Sequence, residues 1–275
     1  MIELPEAQVL AQQIKETLTG KKICSVTAVK TPHKLTWYNG DPQKYSEMLV
    51  GRTVETSLGR GSLVEISLQK AALVFSDGVN LRFHTKGETR PAKHQLLIEF
   101  TDGTALSAVV QMYGGIVCFA DGIYDNKYYK AALEKPSPLS RGFDQCYFMN
   151  ILGSSTSQKL SLKAVLATEQ RIPGIGNGVL QDILFNARLH PKKKLNTLTT
   201  DQNQQLFESL KTTLAEMVKR GGRDTEKDLL GNNGGYISKL SKNTAGKPCA
   251  ICGTLIKREA YLGGSIYYCQ TCQQV

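Results

Sequence analysis

The sequence has no run of about 20 apolar residues, the length that a helix needs to cross a bilayer, and this excludes a helical membrane protein. Residues 1–7 lack the basic and apolar regions of a secretory signal peptide. Histidine is scarce, and the four histidines have no metal-ligand spacing, so we interpret them as core or surface residues. They are His33, His84, His94 and His190.

Disulfide-forming cysteine pairs are also missing from most of the chain. Of seven cysteines, Cys24, Cys118 and Cys146 are scattered, and the other four lie close to the C-terminal end. A disulfide framework would be distributed differently, so we expect a reducing, cytoplasmic environment.

Acidic residues are fewer than basic ones, 24 against 34, which gives a formal net charge of +10. A basic excess of this size indicates a polyanionic partner, and nucleic acid is the first candidate. A solvated basic surface is the alternative that charge alone leaves open.

The periodicity of the apolar residues divides the chain into regions of predicted helix and predicted strand. A helical pattern near the N-terminus is followed by short alternating strands up to about residue 119, with an Asp102-Gly103 hairpin turn. After a proline-containing stretch the period becomes helical, and Thr200 or Asp201 is the predicted N-cap of the last helix. We therefore predict an α+β protein with a β-sandwich domain at 1–120, an irregular linker at 121–142, a helical domain at 143–243 and a cysteine module at 244–275.

The cysteine module contains two C-x-x-C pairs, and their spacing is typical of a four-cysteine zinc site. The predicted ligands of one structural Zn²⁺ are Cys249, Cys252, Cys269 and Cys272. The segment between the pairs is long enough for a β-hairpin, with residues 263–265 as its turn. Four thiolates complete a tetrahedral shell, so this zinc is predicted to be structural, and it should supply the module's folding free energy.

A glycine-rich turn at residues 172–177 lies between two helical patterns, and Asn177 begins the second helix. The free N–H groups of a helix start form an anion site, and with Lys163 they predict a phosphate clamp. A plain helix–helix turn is the alternative reading.

Four segments in this order resemble the Fpg/Nei family of DNA glycosylases, the formamidopyrimidine-DNA glycosylase and endonuclease VIII-like enzymes. They are residues 1–6, which resemble the family start M-P-E-L-P-E, residues 172–191, residues 221–236 and the terminal cysteine turns. The resemblance implies a β-sandwich, a helix–two-turn–helix domain and a zinc hairpin, with damaged double-stranded DNA bound between the domains by a monomer, and association with the nucleoid when bound. It also implies base flipping, excision by an N-terminal proline amine, and strand cleavage through a Schiff base.

Several positions depart from the family pattern. Ile2 replaces the nucleophilic proline, Ser62 replaces a lysine after R-G, and residues 111–114 replace the void-filling R-R-F-G. An arginine of the zinc hairpin is replaced near Gly264 and Ser265. If Met1 is retained, the terminal amine moves by up to about 3.8 Å, and if it is removed, Ile2 offers a primary amine.

Other family positions are kept, and they define the predicted site. Glu3 and Ile2 are the candidate catalytic residues, with Glu3 protonating the sugar or activating water, unless it only begins the first helix. Lys163 and Asn177 match the phosphate clamp, and Lys34 and Arg82 are further DNA-binding candidates that can equally be solvated surface residues. Trp37 and Tyr38 can stack on a base or pack internally.

These observations favour a base-excision-repair glycosylase, with or without AP lyase activity. The joint loss of the proline, the lysine and the arginine supports an alternative, a catalytically impaired protein that binds damaged DNA. A third hypothesis is a regulatory DNA-binding protein that uses the same scaffold.

Overall fold

The computed structural model describes residues 1–120 and 124–274, and it begins with the helix α1, Leu4–Leu18. One face of α1, which includes Leu10, Ile14 and Leu18, is buried in the core of the N-terminal domain. This amphipathic pattern explains why the segment forms a helix against the sheets that follow.

The N-terminal domain is a β-sandwich, as predicted. One sheet has the order β1-β7-β8-β6, and the other has the order β2-β9-β5-β4-β3. The predicted turn at Asp102-Gly103 joins β7 to β8, and Gly103 has the positive φ of 83° that this turn requires. The elements of the domain are β1 Ile23–Ala28, β2 Thr36–Trp37, α2 Tyr45–Leu49, β3 Val54–Arg60, β4 Leu63–Leu68, β5 Ala71–Ser76, β6 Val79–His84, β7 Leu96–Phe100, β8 Ala105–Val110 and β9 Gly114–Ala120.

The linker contains a helix where we predicted irregular chain, and that prediction is wrong for its central part. The helix α3 spans Lys127–Glu134, and the Asn126 side chain accepts hydrogen bonds from the first backbone N–H groups. A side-chain cap of this kind begins a helix even in a proline-flanked segment. The first three positions of the predicted linker, 121–123, lie outside the described residues.

The second domain is helical and has a core of its own. Its helices are α4 Gln145–Gly153, α5 Leu162–Ala167, α6 Asn177–Asn186 and α7 Thr200–Lys219. The N-cap of α7 is Thr199, one residue before our prediction, because Thr199 and Gln202 form a capping box. Within the described ranges, no helix has the length and apolar character that crossing a membrane requires.

The N-terminal segment lies between the two cores. The side chain of Ile2 belongs to the core of the sandwich, whereas that of Leu4 belongs to the core of the helical domain. Glu3 is therefore held at the boundary between the domains. The loop after α7 also reaches the sandwich, where Leu229 is fully buried.

The C-terminal module is a hairpin of β10, Lys257–Tyr261, and β11, Gly264–Tyr268. Its turn is at 262–263 rather than at 263–265, since Tyr261 pairs with Gly264. The hairpin packs on α6, where the Gln181 side chain accepts a hydrogen bond from Tyr267 N at 3.1 Å and donates one to Ser265 O at 3.2 Å.

Candidate functional site

The carboxylate of Glu3 lies against the N-terminus of α6. Its Oε1 accepts a hydrogen bond from Gly178 N at 2.8 Å, and its Oε2 accepts one from Val179 N at 2.7 Å. The side chain is 4% exposed. The free N–H groups and the positive end of the helix dipole stabilise the negative charge.

This geometry adds a partner that the phosphate prediction for the glycine turn did not include. Within the chain, the anion at the start of α6 is the carboxylate of Glu3, so two of the expected phosphate donors are already engaged. A Cβ atom on Gly176 would lie 2.5 Å from Glu3 Cδ. Glycine is therefore needed in this turn so that Glu3 can approach the backbone.

Arg223, from the loop after α7, bridges the carboxylates of Glu3 and Glu6. Its Nε donates to Glu6 Oε1 at 2.9 Å, its Nη2 donates to Glu6 Oε2 at 2.7 Å, and its Nη1 lies 3.7 Å from Glu3 Oε2. Nη2 also donates to Met1 O at 3.4 Å. All three charged side chains are buried, so the network excludes water.

Burial and charge oppose each other in this network. Burial raises the pKa of the Glu3 carboxyl, and the positive charge of Arg223 and the two backbone N–H groups only partly counteract it. Burial would lower the pKa of Arg223, but the charges of Glu3 and Glu6 outweigh that effect and raise it. Arg223 is consequently a permanent cation between two acids.

The N-terminal residues are fixed by backbone and side-chain contacts. Ile2 N donates to Asp77 O at 2.6 Å, and the Ile2 side chain is 4% exposed. The amino group of Met1 forms an ion pair with Glu226, and the Tyr113 hydroxyl lies 3.7 Å from Met1 Sδ. The side chain of Ile2 is thus a core residue, whereas the terminal amine, on Met1, stays accessible.

Little free space lies between the N-terminal segment and the loop after α7. Two cavities adjoin Glu6 and Glu226 there, and each has a volume of about 10 Å³. A volume of roughly 10–15 Å³ holds a single water molecule. Neither cavity admits a nucleobase in this conformation.

Lys163 and Asn177 are brought together under the turn of the C-terminal hairpin. Lys163 Nζ donates to Tyr261 O at 2.5 Å, and Asn177 Nδ2 donates to Ser265 O at 2.7 Å. The Lys163 side chain is 3% exposed, and burial lowers its pKa. These two predicted clamp residues therefore connect the helical domain to the hairpin.

Lys34 and Arg82 do not join this cluster. Lys34 is exposed in the loop between β1 and β2. Arg82, on β6, donates to Leu230 O and lies 3.5 Å from Glu88. Arg82 therefore holds the loop after α7 against the sandwich, and its contact with DNA stays a prediction.

The four predicted zinc ligands form one cluster. The Sγ atoms of Cys249, Cys252, Cys269 and Cys272 all lie within 4.8 Å of one another. Two pairs are separated by 3.9 and 3.4 Å, and a tetrahedral zinc with Zn–S bonds of about 2.3 Å requires sulfurs roughly 3.8 Å apart. The thiols thus have the number and spacing that a metal ion of this type needs.

Three residues of the site had no role in the sequence-based prediction. Arg223, Asp77 and Glu226 lie far from Met1 in the chain, and the fold alone brings them to the N-terminus. A charged residue directly after Gly221-Gly222 was the one local signal that could have drawn attention to Arg223.

Comparison with known proteins gives one consistent result. The formamidopyrimidine-DNA glycosylase N-terminal domain matches residues 1–111, and the formamidopyrimidine-DNA glycosylase H2TH domain matches residues 135–228. Formamidopyrimidine-DNA glycosylases of Bacillus cereus and Listeria innocua are 29% and 27% identical, and the matches cover 99% and 100% of each chain.

The fold is similar to those of solved enzymes. A Lactococcus lactis Fpg in complex with DNA containing an abasic site has a TM-score of 0.82 at 22% identity, covering 99% of this chain and 100% of that one. The Thermus thermophilus MutM (Fpg) protein has a TM-score of 0.80 at 24% identity, covering 98% of both chains.

Proposed function

The chain belongs to the formamidopyrimidine-DNA glycosylase family, and from that premise we propose that it is a base-excision-repair glycosylase that acts on damaged bases in double-stranded DNA. We also propose that its nucleophile is a primary amine at the N-terminus, with AP lyase activity following from it. The observation that carries the proposal is the common placement of Glu3 and the terminal amine at the domain boundary.

The proposed chemistry needs a neutral amine and a nearby proton acceptor. The Glu226 carboxylate is paired with the Met1 amino group and can accept its proton. The amine then adds to C1′ of the open-chain abasic sugar, and loss of water leaves a C=N bond. Glu3, whose pKa is raised by burial, is the proposed acid for the sugar.

DNA binding is assigned to the hairpin and its contacts with the helical domain. Lys163 and Asn177 are the proposed phosphate ligands, with Lys34 and Arg82 as further contacts on the sandwich. We propose that Cys249, Cys252, Cys269 and Cys272 bind one structural Zn²⁺, which orders the hairpin that contacts these residues.

The test is borohydride reduction with a duplex that carries an abasic site, followed by intact-mass measurement and peptide mapping. The expected result is one covalent adduct per chain, located on the N-terminal residue. A chain with one residue added before Met1 is the control, because it moves the amine by up to about 3.8 Å and should slow trapping strongly. A wild-type protein that forms no adduct would contradict the proposed nucleophile.

A second candidate function is recognition of damaged DNA without chemistry. It is favoured by the closed network around Glu3, where both carboxylate oxygens are already hydrogen-bonded and the adjoining cavities hold about 10 Å³. Fluorescence anisotropy with abasic and intact duplexes in the same salt tests it. Equal affinity for both duplexes would contradict this candidate.

A further inference from the structure

A groove lies at the end of α6 that is remote from the Glu3 carboxylate. Its volume is about 420 Å³, and it runs between α7 and the segment that follows the loop after α7. Asn186, the last residue of α6, lines this groove. Because α6 has ten residues, its length of about 15 Å separates the groove from the end of the helix that binds Glu3.

The wall opposite α7 is an extended segment whose side chains alternate between the interior and the solvent. Tyr236, Ser238 and Leu240 are buried, whereas Ile237 and Lys239 are exposed. Such alternation is typical of a strand with one face on a core and the other toward water. Ile237 is 69% exposed, more than any other large apolar side chain of the described residues. The groove is therefore bordered by apolar surface that the described part of the chain leaves open.

The backbone of this segment is held in place from the interior. Asp182 on α6 accepts hydrogen bonds from Lys239 N at 2.9 Å and from the next backbone N–H at 2.8 Å. Asp224 accepts one from Ser238 N at 3.0 Å. The backbone N–H of Ile237, in contrast, donates to none of the described residues. The wall is thus preformed, and the Ile237 N–H is available to a carbonyl group of a partner.

The remaining lining of the groove is polar and carries a positive charge. The Asn186 side chain accepts a hydrogen bond from Lys239 Nζ at 2.6 Å and donates one to Thr213 Oγ1 at 2.8 Å. Arg220 forms an ion pair with Glu216, but its side chain is 55% exposed. Two cations and one carboxylate line the groove, so the lining has a net charge of +1. This charge favours an acidic occupant.

The composition of the groove distinguishes between classes of acidic occupant. Tyrosine and arginine beside open apolar surface are typical of protein–protein interfaces. The Glu216 carboxylate would repel the phosphate groups of a nucleic acid. A second copy of this chain is disfavoured, because each copy carries a net charge of +10. An extended wall with a free backbone N–H is suited to an extended peptide chain.

We propose that this groove binds an extended acidic segment of a partner protein. An apolar side chain of that segment packs on Ile237 and Tyr236. Its carboxylates pair with Arg220 and Lys239. The inference goes beyond the proposed function and does not rest on it, since the hairpin assigned to DNA contacts the opposite end of α6 through Asn177.

The first measurement is fluorescence anisotropy with three labelled octapeptides in the same salt. The first peptide alternates glutamate with leucine, the second glutamate with serine, and the third lysine with leucine. The glutamate–leucine peptide should bind about tenfold more tightly than either of the others, because the groove requires both negative charge and apolar burial. Equal binding of the glutamate–serine peptide would mean that only net charge is recognised, and it would overturn the proposal.

Substitutions test whether the groove is the binding site. Ile237→Ser should weaken the glutamate–leucine peptide about tenfold. Leu35→Ser, which changes another exposed apolar side chain, should leave the affinity unchanged. Lys239→Ala should weaken the peptide about two- to fivefold, whereas Lys159→Ala, at another exposed site, should not. Equal affinities of the two serine variants would overturn the proposal.

Photocrosslinking and competition locate the peptide relative to DNA. A glutamate–leucine peptide with a central benzophenone should crosslink within residues 212–220 or 236–239, and crosslinks confined to other residues would overturn the proposal. An excess of a duplex that carries an abasic site should not displace the peptide. Displacement would assign the groove to nucleic acid and overturn the proposal. A duplex that does not bind at all would contradict the proposed function and leave the peptide result standing.

Discussion

The helical side of the domain boundary and the sandwich side differ in how their polar groups are used. On the helical side, Lys163 and Asn177 donate hydrogen bonds to the C-terminal hairpin, and Glu3 accepts two from α6. On the sandwich side, Asp77 and Trp37 border a cavity of about 410 Å³. One side is a closed network, and the other is an open surface.

The difference indicates where substitutions are tolerated. Each group on the helical side has a partner that would be left buried and unpaired, which costs about 1–3 kcal/mol per group. The departures from the family pattern at Ser62 and Tyr113 fall on the sandwich side, where they line open space. The open side is therefore where this chain can differ in what it binds.

Removing the metal should disrupt the hydrogen bonds that Lys163 and Asn177 donate to the hairpin. The hairpin contributes Tyr261 O and Ser265 O to the contacts of Lys163 and Asn177, and its core is too small to fold without the metal. We expect chelation, or Cys269→Ser, to release one zinc ion per chain and to lower DNA affinity at least tenfold. Metal analysis and anisotropy measure both quantities.

Cys146→Ser is the matched control for this experiment, because Cys146 is an exposed thiol on α4. It should retain the metal and the affinity. Full DNA binding by a metal-free protein would show that the hairpin folds without zinc.

Replacing Arg223 should have the next largest effect. Arg223→Met leaves Glu3 and Glu6 buried without their cation, and breaking a buried ion pair costs about 3–5 kcal/mol. Urea denaturation should show this loss near neutral pH. The double variant with Glu6→Gln should recover part of the stability, because one uncompensated charge is removed.

The pH dependence of the Arg223→Met variant provides a second check. Burial already raises the pKa of Glu3 above its unfolded value, and loss of Arg223 raises it further. A raised carboxyl pKa favours the protonated form on folding, so stability is present at low pH and lost as pH rises through the folded pKa. The difference in unfolding free energy between the wild type and Arg223→Met should therefore become smaller as the pH is lowered toward 4.5. A loss of stability that does not change with pH would argue against Glu3 as its cause.

The sequence predicted those features that depend on local pattern. The cysteine spacing predicts the metal cluster, and the period of the apolar residues predicts the sandwich and the helices. The helix α3 was missed because it is short, with eight residues, and none of them is fully buried. The partner of Glu3 could not be predicted, since Arg223 meets it only after both domains have packed.

The cavity on the sandwich side illustrates the same limit. The sequence indicated that Trp37 can stack on a base or pack internally. Its ring partner Tyr113 lies much later in the chain, directly before β9. Only the parallel pairing of β2 with β9 brings the two rings together. Long-range strand pairing of this kind leaves no signal in a single sequence.

A smaller effect is expected from adding one methyl group on the helical side. In Gly178→Ala, the new Cβ would lie 1.6 Å from Arg223 Nη1, so Arg223 must move away from Glu3. Such overpacking costs about 1–3 kcal/mol. Gly153→Ala at the end of α4 is the matched control, since nothing lies within 4 Å of its Cβ. Equal urea midpoints for the two variants would mean that Arg223 is not fixed in this position.

The smallest effect should appear in the pH dependence of DNA binding. Burial lowers the pKa of Lys163 from 10.5, so its charge is lost at a lower pH than for an exposed lysine. DNA affinity should fall several-fold as pH rises through that pKa, and the salt slope should decrease by about 0.9, the share of one phosphate contact. Lys163→Arg keeps its charge and should flatten the profile, whereas Lys159→Arg, at an exposed site, should not. If wild type and Lys163→Arg have the same profile, Lys163 only ties the hairpin to α5, and the phosphate contact must come from the open side of the boundary.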